Sequence, residues 1–342
     1  MAGWKRRIVK YKHGTLTPVW FIRPAACGIL HDGTVRNTKQ NNIAYEYGEG
    51  LCSMKTLPKA ANALAEGKLT VAFIGGSITH AGKRPDGGHS WRTGITEYFE
   101  KTYPNAEIAP IMAAVSGTGS DLGAARIDRD VLAKGIPDLS FLEFSVNDGR
   151  GHDSHVRAME GIVRKLRKAN PGCDIVFIYT THEKSPGGKT QAAADHHKVA
   201  VYYDIPEIDV GCEIWKKIDA GEGVWRDYVA DYAHPNEKGH ALYIAKIAVF
   251  LADALVPGKI DVSLPAAMRE DNMEHATLIP LAPLCKEPFA IIERPWGEYL
   301  FQLVSSNVPG ATISVPFTGR MCGVYWYIDY ITGDLKWRVD GG

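Results

Sequence analysis

The feature that most constrains the fold is an alternation of short apolar runs and longer amphipathic stretches between about residues 67 and 257. Four runs are nearly continuously apolar, as strands covered on both faces must be: LTVAFIG, AEIAPIMAAV, DLSFLEFSV and CDIVFIYT. Helix-like patterns such as SHVRAMEGIVRKLRKAN lie between them, and EKGHALYIAKIAVFLADAL closes the zone. Strands and helices that alternate at this spacing predict a parallel, doubly wound α/β sheet.

The two flanking zones have a different residue pattern. Residues 258–342 contain β-like runs divided by Gly, Pro and Asn turns, which is typical of an antiparallel sheet or small sandwich. We therefore predict a β-rich accessory domain over 258–342, after an α/β domain over 67–257. Residues 1–66 form an N-terminal extension, and one arrangement that the sequence allows is packing against the C-terminal β region.

Charge and composition exclude several classes of partner. Lys+Arg and Asp+Glu both number 39, so the net charge is zero, and no basic run predicts binding to nucleic acid or an anionic membrane. The six cysteines are scattered without a C-x-x-C pair, and the N-terminus lacks an uninterrupted apolar segment. We expect a cytoplasmic protein with reduced thiols, although removal of a leader would leave secretion open. A homo-oligomer is compatible with the sequence.

The first motif of chemical interest is VAFIGGSITHAG, in which Ser77 follows a predicted strand and two glycines. Ligands of open parallel sheets bind outside the carboxyl ends of the strands, so this turn is a favoured place for chemistry. Taken alone, a Gly-Gly-Ser sequence after a strand more often forms a turn without a catalytic role. The stretch lacks the spacing of a phosphate-binding loop or a dinucleotide fingerprint, and Thr79 stands where an α/β-hydrolase elbow requires glycine.

Two further loops follow predicted strands at the same sheet edge. In VSGTGSDLG, Gly117 and Gly119 leave backbone N–H groups approachable before a helix, which suits the stabilisation of an oxyanion. An ordinary loop in which Ser120 or Asp121 caps the helix explains the same pattern. In SVNDGRG, the Asn147 amide can donate a hydrogen bond to developing negative charge, and an Asn-Asp-Gly turn is the equally good alternative.

The last motif is DYAHPNEKGH, just before the closing helix. Asp231 and His234 lie three residues apart, so the carboxylate can hold the imidazole in one tautomer while its other nitrogen faces a serine. The alternative is a surface loop in which Asn236 caps the helix.

The joint order of these four motifs resembles the SGNH (GDSL-like) hydrolase family over about residues 67–257. GGSIT is similar to the G-D-S block with Gly76 at the acidic position, and SVND is similar to G-x-N-D with Ser145 at the glycine. SGTGSDLG and DYAH are similar to the remaining two blocks. The resemblance implies a flavodoxin-like doubly wound sheet and a serine esterase, most similar to members that remove acetyl groups from carbohydrates.

The resemblance also implies roles for particular residues. Ser77 would be the nucleophile, His234 the general base and Asp231 its partner, through an acyl-enzyme intermediate. The backbone N–H groups of Ser77 and Gly117 and the side chain of Asn147 would form the oxyanion hole. The substrate would be a small-molecule or oligosaccharide ester, and the chemistry needs no metal and no organic cofactor.

The same residues are compatible with other functions. A lipid, aryl or thioester hydrolase or an O-acyltransferase would use the same triad, whereas a glycan-binding protein would have an inactive site. Several histidines lack an established zinc spacing: His152, His155, His196, His197 and His240. The aromatic residues of the C-terminal zone could stack on sugars, but for most of them a place in a sandwich core is the better prediction: Trp296, Tyr299, Tyr325, Trp326, Tyr327 and Trp337.

Overall fold

The computed structural model describes residues 8–12, 55–81, 89–149, 153–188, 190–296, 299–325 and 334–339. Its strands are β1 (Ile8–Lys12), β2 (Lys68–Gly75), β3 (Glu107–Ala114), β4 (Leu139–Glu143), β5 (Asp174–Tyr179), β6 (Glu207–Asp209), β7 (Ala290–Trp296), β8 (Tyr299–Ser305), β9 (Thr312–Ser314) and β10 (Asp334–Trp337). Its α-helices are α1 (Pro58–Ala65), α2 (Ser77–His80), α3 (Trp91–Thr102), α4 (Ser120–Ile127), α5 (Asp153–Ala169), α6 (Gln191–Tyr202), α7 (Gly211–Asp219), α8 (Trp225–Tyr228) and α9 (Glu237–Ala254).

The central sheet has five parallel strands in the order β3-β2-β4-β5-β6. The chain adds β3 on one side of β2 and then crosses to place β4 on the other side, so the strand order reverses at β2 and β4. This is the flavodoxin-like order, and it opens a crevice between the carboxyl ends of these two strands. The predicted α/β fold is confirmed.

Both faces of the sheet are buried, which explains the continuously apolar strands. Ala72 and Ile74 of β2 lie in a core layer that includes residues of α4, α5 and α6. Val71 and Phe73 lie in the opposite layer, which includes residues of α1, α3, α7 and α9. Strand β6 was not predicted because its three residues are too few to show a periodic pattern.

The C-terminal region contains two small antiparallel sheets. One is the hairpin β7–β8, and the other has the order β10-β1-β9, in which residues of the N-terminal zone pair with both C-terminal strands. Val304 of β8 and Ile313 of β9 belong to the same small apolar core. The two sheets therefore share a core that is separate from the layers of the central sheet.

The segment after α9 stays with the α/β unit rather than joining the β region at once. Met273 is 5% exposed and packs with the core of the central sheet. The Lys165 side chain of α5 donates a hydrogen bond to the carbonyl of Ala276 at 2.6 Å. Packing on the α/β unit therefore continues for about twenty residues past the predicted boundary at 257.

Two further expectations concern the whole chain. None of the helices in the described part of the chain combines the length and apolarity that crossing a bilayer requires. Within the same part, Cys173, Cys212, Cys285 and Cys322 are free thiols. Cys27 and Cys52 lie outside the described residues.

Candidate active site

Ser77 lies at the carboxyl end of β2, beside the crevice. Strand β2 ends at Gly75, Gly76 has φ −95° and ψ −147°, and Ser77 is the first residue of the one-turn helix α2. The backbone N–H of Gly76 donates to the carbonyl of Glu143 on the neighbouring strand at 3.3 Å. Ser77 is half-buried, whereas Gly76 and Ile78 on either side of it are buried. The turn therefore presents the serine hydroxyl from an otherwise enclosed segment.

A continuous chain of hydrogen bonds joins Ser77 to His234 and Asp231. The Ser77 Oγ atom lies 2.8 Å from His234 Nε2. The opposite ring nitrogen, Nδ1, lies 2.7 Å from Asp231 Oδ2 and 3.0 Å from Oδ1. The side chains of His234 and Asp231 are 49% and 57% exposed. This order of groups allows the imidazole to accept a proton from the serine while the carboxylate holds the ring.

The loop between α8 and α9 holds Asp231 and His234 in place. The indole N–H of Trp225 donates to the Asp231 carbonyl at 2.9 Å, and the backbone N–H of Ala230 donates to the His234 carbonyl at 2.8 Å. The Asn236 side chain accepts from the Gly239 N–H and caps α9, as the alternative interpretation of this motif predicted. The loop is therefore fixed at both ends.

The Asp231 carboxylate is stabilised in its ionised form. Its Oδ1 atom accepts backbone N–H bonds from Ala233 and His234, both at 2.9 Å. Burial acts to raise the pKa of Asp231, but these bonds and the His234 side chain outweigh it and hold the pKa below its usual value. The carboxylate thus stays charged at neutral pH.

Asn147 lies directly against the backbone before Ser77. A Cβ atom added to Gly76 would overlap the Asn147 amide group, so only glycine leaves room for this contact. The Asn147 Oδ1 atom is buried and has no hydrogen-bond partner among the described residues. The glycine at the acidic position of the family motif therefore has a steric reason in this chain.

Gly117 lies in the loop after β3, on the other side of Ser77 from β4. It has φ +76°, a conformation that favours glycine, and no atom lies within 4 Å of a Cβ built there. The preceding residue, Ser116, contacts α2 through its hydroxyl, which lies 3.0 Å from His80 Nδ1. The loop that carries Gly117 is thereby tied to the helix that carries Ser77.

Sequence reasoning missed a buried carboxylate–imidazole pair behind the site. Asp148 Oδ2 lies 2.7 Å from His196 Nε2, and both side chains are about 1% exposed. Asp148 Oδ1 accepts the Ser120 backbone N–H at 2.7 Å, which ties the Asn147 loop to the start of α4. Burial acts to raise the pKa of Asp148, but the bond and charge of His196 outweigh it and lower the pKa. Because its carboxylate is enclosed, Asp148 does not line the cleft beside Asn147.

We expect Asp148→Asn to lower the free energy of unfolding at pH 7 by about 3–5 kcal/mol, because one partner of a buried pair is lost. The pair's stabilisation is present above the ordinary aspartate pKa and is lost as pH falls through the lowered folded-state pKa. Chemical denaturation measures the change. Asp253→Asn, at an exposed position of α9, is the control. A loss below 1 kcal/mol would show that the pair contributes little.

Glu143, at the end of β4, is a second buried acid that was not assigned a role. It is fully buried, and it accepts hydrogen bonds from Thr79 Oγ1 at 2.8 Å and Thr180 Oγ1 at 2.7 Å. Burial raises the pKa of Glu143 despite these two bonds. Thr79 belongs to α2, so Glu143 links the helix of Ser77 to the ends of β4 and β5.

The remaining histidines form no metal site in the described ranges. No group of three or more potential ligands occurs there. His240 is buried, and its Nδ1 accepts the Trp91 backbone N–H at 3.2 Å. His197 contacts Glu207 at 2.9 Å. His152 lies outside the described residues.

The described members of the C-terminal aromatic set do not fill the β core, contrary to the prediction for most of the set. The buried members of that core are mainly aliphatic, with Phe289 as the aromatic member. Trp296 and Trp337 are 39% and 67% exposed, while Tyr325 packs against the core of the central sheet. Trp326 and Tyr327 lie outside the described residues.

Comparison with known proteins supports the resemblance. Residues 73–242 match the GDSL-like lipase/acylhydrolase family. A two-domain esterase (CEX) active on acetylated mannans, co-crystallised with mannopentaose, is 28% identical with a TM-score of 0.57 over 69% of this chain. A second structure of a two-domain esterase (CEX) active on acetylated mannans is 25% identical, with a TM-score of 0.51 over 70% of this chain.

The extent of these matches is limited in one respect. This chain covers 61% and 62% of the two esterase chains, so each contains parts without a counterpart here. None of the curated proteins matches the sequence.

Proposed function

We propose that this chain, in which residues 73–242 match the GDSL-like lipase/acylhydrolase family, is a serine esterase that removes O-acetyl groups from carbohydrates. The observation that carries this proposal is the hydrogen-bonded series Ser77, His234 and Asp231 at the carboxyl edge of the sheet. A nucleophile, a base and an orienting carboxylate in this order are the requirements of acyl transfer through serine.

The proposed reaction has two stages. His234 Nε2 removes the hydroxyl proton as Ser77 Oγ attacks the ester carbonyl, and Asp231 stabilises the resulting imidazolium. His234 then protonates the sugar oxygen as its bond to the carbonyl carbon breaks, so that the sugar leaves with a free hydroxyl and an acetyl group remains on Ser77. Water, deprotonated by His234, attacks that acetyl group, and Ser77 recovers its proton as acetate departs.

The negative charge on the carbonyl oxygen needs donors that are already in place. We assign this role to the backbone N–H groups of Ser77 and Gly117 and to the side chain of Asn147. The Asn147 amide is held against Gly76, one residue before the nucleophile. The buried pair of Asp148 and His196 fixes the loop that carries it. Such rigid placement is what oxyanion stabilisation requires.

The choice of substrate rests on the structural relatives. The two-domain esterase CEX acts on acetylated mannans, and its fold resembles this chain at 28% identity. By analogy, the acyl group is acetyl and the leaving group is a sugar hydroxyl. Fold similarity alone does not fix a substrate, so this part of the proposal has its own test.

The test compares acyl chain length and leaving group on one enzyme preparation. We expect p-nitrophenyl acetate to be hydrolysed at least tenfold faster, by kcat/KM, than the octanoate, and acetylated mannan to release acetate. A preference for octanoate, or release of acetate from p-nitrophenyl acetate but from no acetylated sugar, would contradict the proposed substrate class. Acetylated xylan is included because it separates a mannan preference from a general one.

A further inference from the structure

The C-terminal hairpin reaches the edge of the sheet where Ser77 lies. Trp296, the last residue of β7, donates its indole N–H to the carbonyl of Ser116 at 3.0 Å. Ser116 precedes Gly117, and its hydroxyl lies 3.0 Å from His80 Nδ1 in the Ser77 helix. Two hydrogen bonds therefore connect the indole to the helix of the proposed nucleophile.

Trp296 is exposed although its indole is fixed. It is 39% exposed, and Leu300 on the adjacent strand is 62% exposed. Pro295 pairs with Leu300 in the register of the hairpin, and Trp296 pairs with Tyr299. Lys134 of the α/β unit lies over the Tyr299 ring, with Nζ 5.7 Å from its centroid. The end of the hairpin thus presents apolar surface where it is attached to the catalytic unit.

Tyr232, an exposed aromatic residue beside Asp231, contacts residues of the loop after β5. Its ring stacks on His182, with 4.9 Å between centroids and 18° between planes. Lys184 Nζ lies 6.0 Å from the same ring. Trp337 is more exposed than Trp296 but belongs to the three-stranded sheet, where it pairs with Val9.

We infer that the Trp296 indole is the platform on which a sugar ring of the acetylated substrate stacks, an inference that rests on the proposed function. A pyranose presents C–H groups on its faces and hydroxyls at its edge, so its face suits a flat apolar surface. The bond to Ser116 fixes the plane of the indole before binding, which reduces the entropy lost on binding. A sugar held there lies beside the loop of Gly117, with its ester at Ser77.

The experiment measures specificity rather than activity alone. We expect Trp296→Ala to lower kcat/KM for acetylated mannooligosaccharide about tenfold more than kcat/KM for ethyl acetate, mainly through KM. Covering one indole face removes roughly 55 Å² of apolar surface from water, which corresponds to about tenfold in affinity. Ethyl acetate has no ring to stack. Trp337→Ala, which removes an exposed tryptophan from the same region, is the matched control and should leave both values unchanged.

Two further variants separate stacking from loop support. Trp296→Leu keeps apolar bulk without a flat face and should behave like Trp296→Ala, whereas Trp296→Phe should retain part of the preference. Equal proportional losses on both substrates, in either the alanine or the leucine variant, would overturn the inference. An unchanged ratio of kcat/KM for the two substrates would also overturn the inference, provided that the wild type hydrolyses sugar acetates. A wild type that hydrolyses ethyl acetate but no sugar acetate overturns the proposed substrate class, and this inference with it.

Discussion

Replacing Ser77 with alanine is expected to lower kcat for p-nitrophenyl acetate by about 10⁶-fold, because the atom that attacks the ester is removed. Within the described residues the Ser77 hydroxyl has one hydrogen-bond partner, His234 Nε2 at 2.8 Å, so its removal costs the fold little stability. Steady-state kinetics measure the loss, and thermal denaturation followed by circular dichroism should show a melting temperature within a few degrees of the wild type.

The control for this result is Ser314→Ala in β9, an exposed serine remote from the α/β unit in sequence. It should keep the full rate. If Ser77→Ala retained activity within tenfold of the wild type, another residue would have to be the nucleophile and the assignment of the site would be wrong.

The second large effect is expected at a residue that takes no part in the chemistry. Gly76→Ala should lower kcat by about 10²–10³, the cost of losing one oxyanion hydrogen bond, with a smaller change in KM. The reason is steric, since a Cβ at residue 76 overlaps the amide of Asn147 and must displace it. Asn147→Ala removes the same donor directly and should cost a similar factor. Both are measured on p-nitrophenyl acetate.

A double variant makes this test specific. If Gly76→Ala acts by displacing Asn147, then Gly76→Ala combined with Asn147→Ala should be no slower than the slower single variant. Losses that multiply would mean that the two residues act independently. Gly258→Ala is the control, because the nearest atom to its Cβ would be 4.0 Å away in ordinary contact.

The sequence carried the information for the catalytic sheet because the relevant signals are local. Strands covered on both faces must be continuously apolar, so β2, β4 and β5 stand out as runs between amphipathic helices. The spacing of Asp231 and His234 is equally local, since three residues on one loop bring a carboxylate to an imidazole.

Other parts of the site depend on contacts between residues far apart in the chain, which leave no pattern along it. Asp148 and His196 are 48 positions apart, and each is ambiguous when read alone. The contact of Trp296 with Ser116 spans 180 positions. The exposure of Trp296 and Trp337 was predicted wrongly for a related reason. A β-like sequence does not show which face of the strand packs against the core, and the core of the β region is a single small layer.

The central claim is that Ser77 is the nucleophile, and labelling with an alkyl fluorophosphonate tests it most directly. Trypsin should release residues 69–83 as LTVAFIGGSITHAGK, in which Ser77 is the single serine. The account predicts one equivalent of label on the intact protein, carried by Ser77 in this peptide. It also predicts no label on Ser77→Ala and slower labelling of His234→Ala. A label on any other residue, or a wild type that hydrolyses esters without being labelled, would contradict the account.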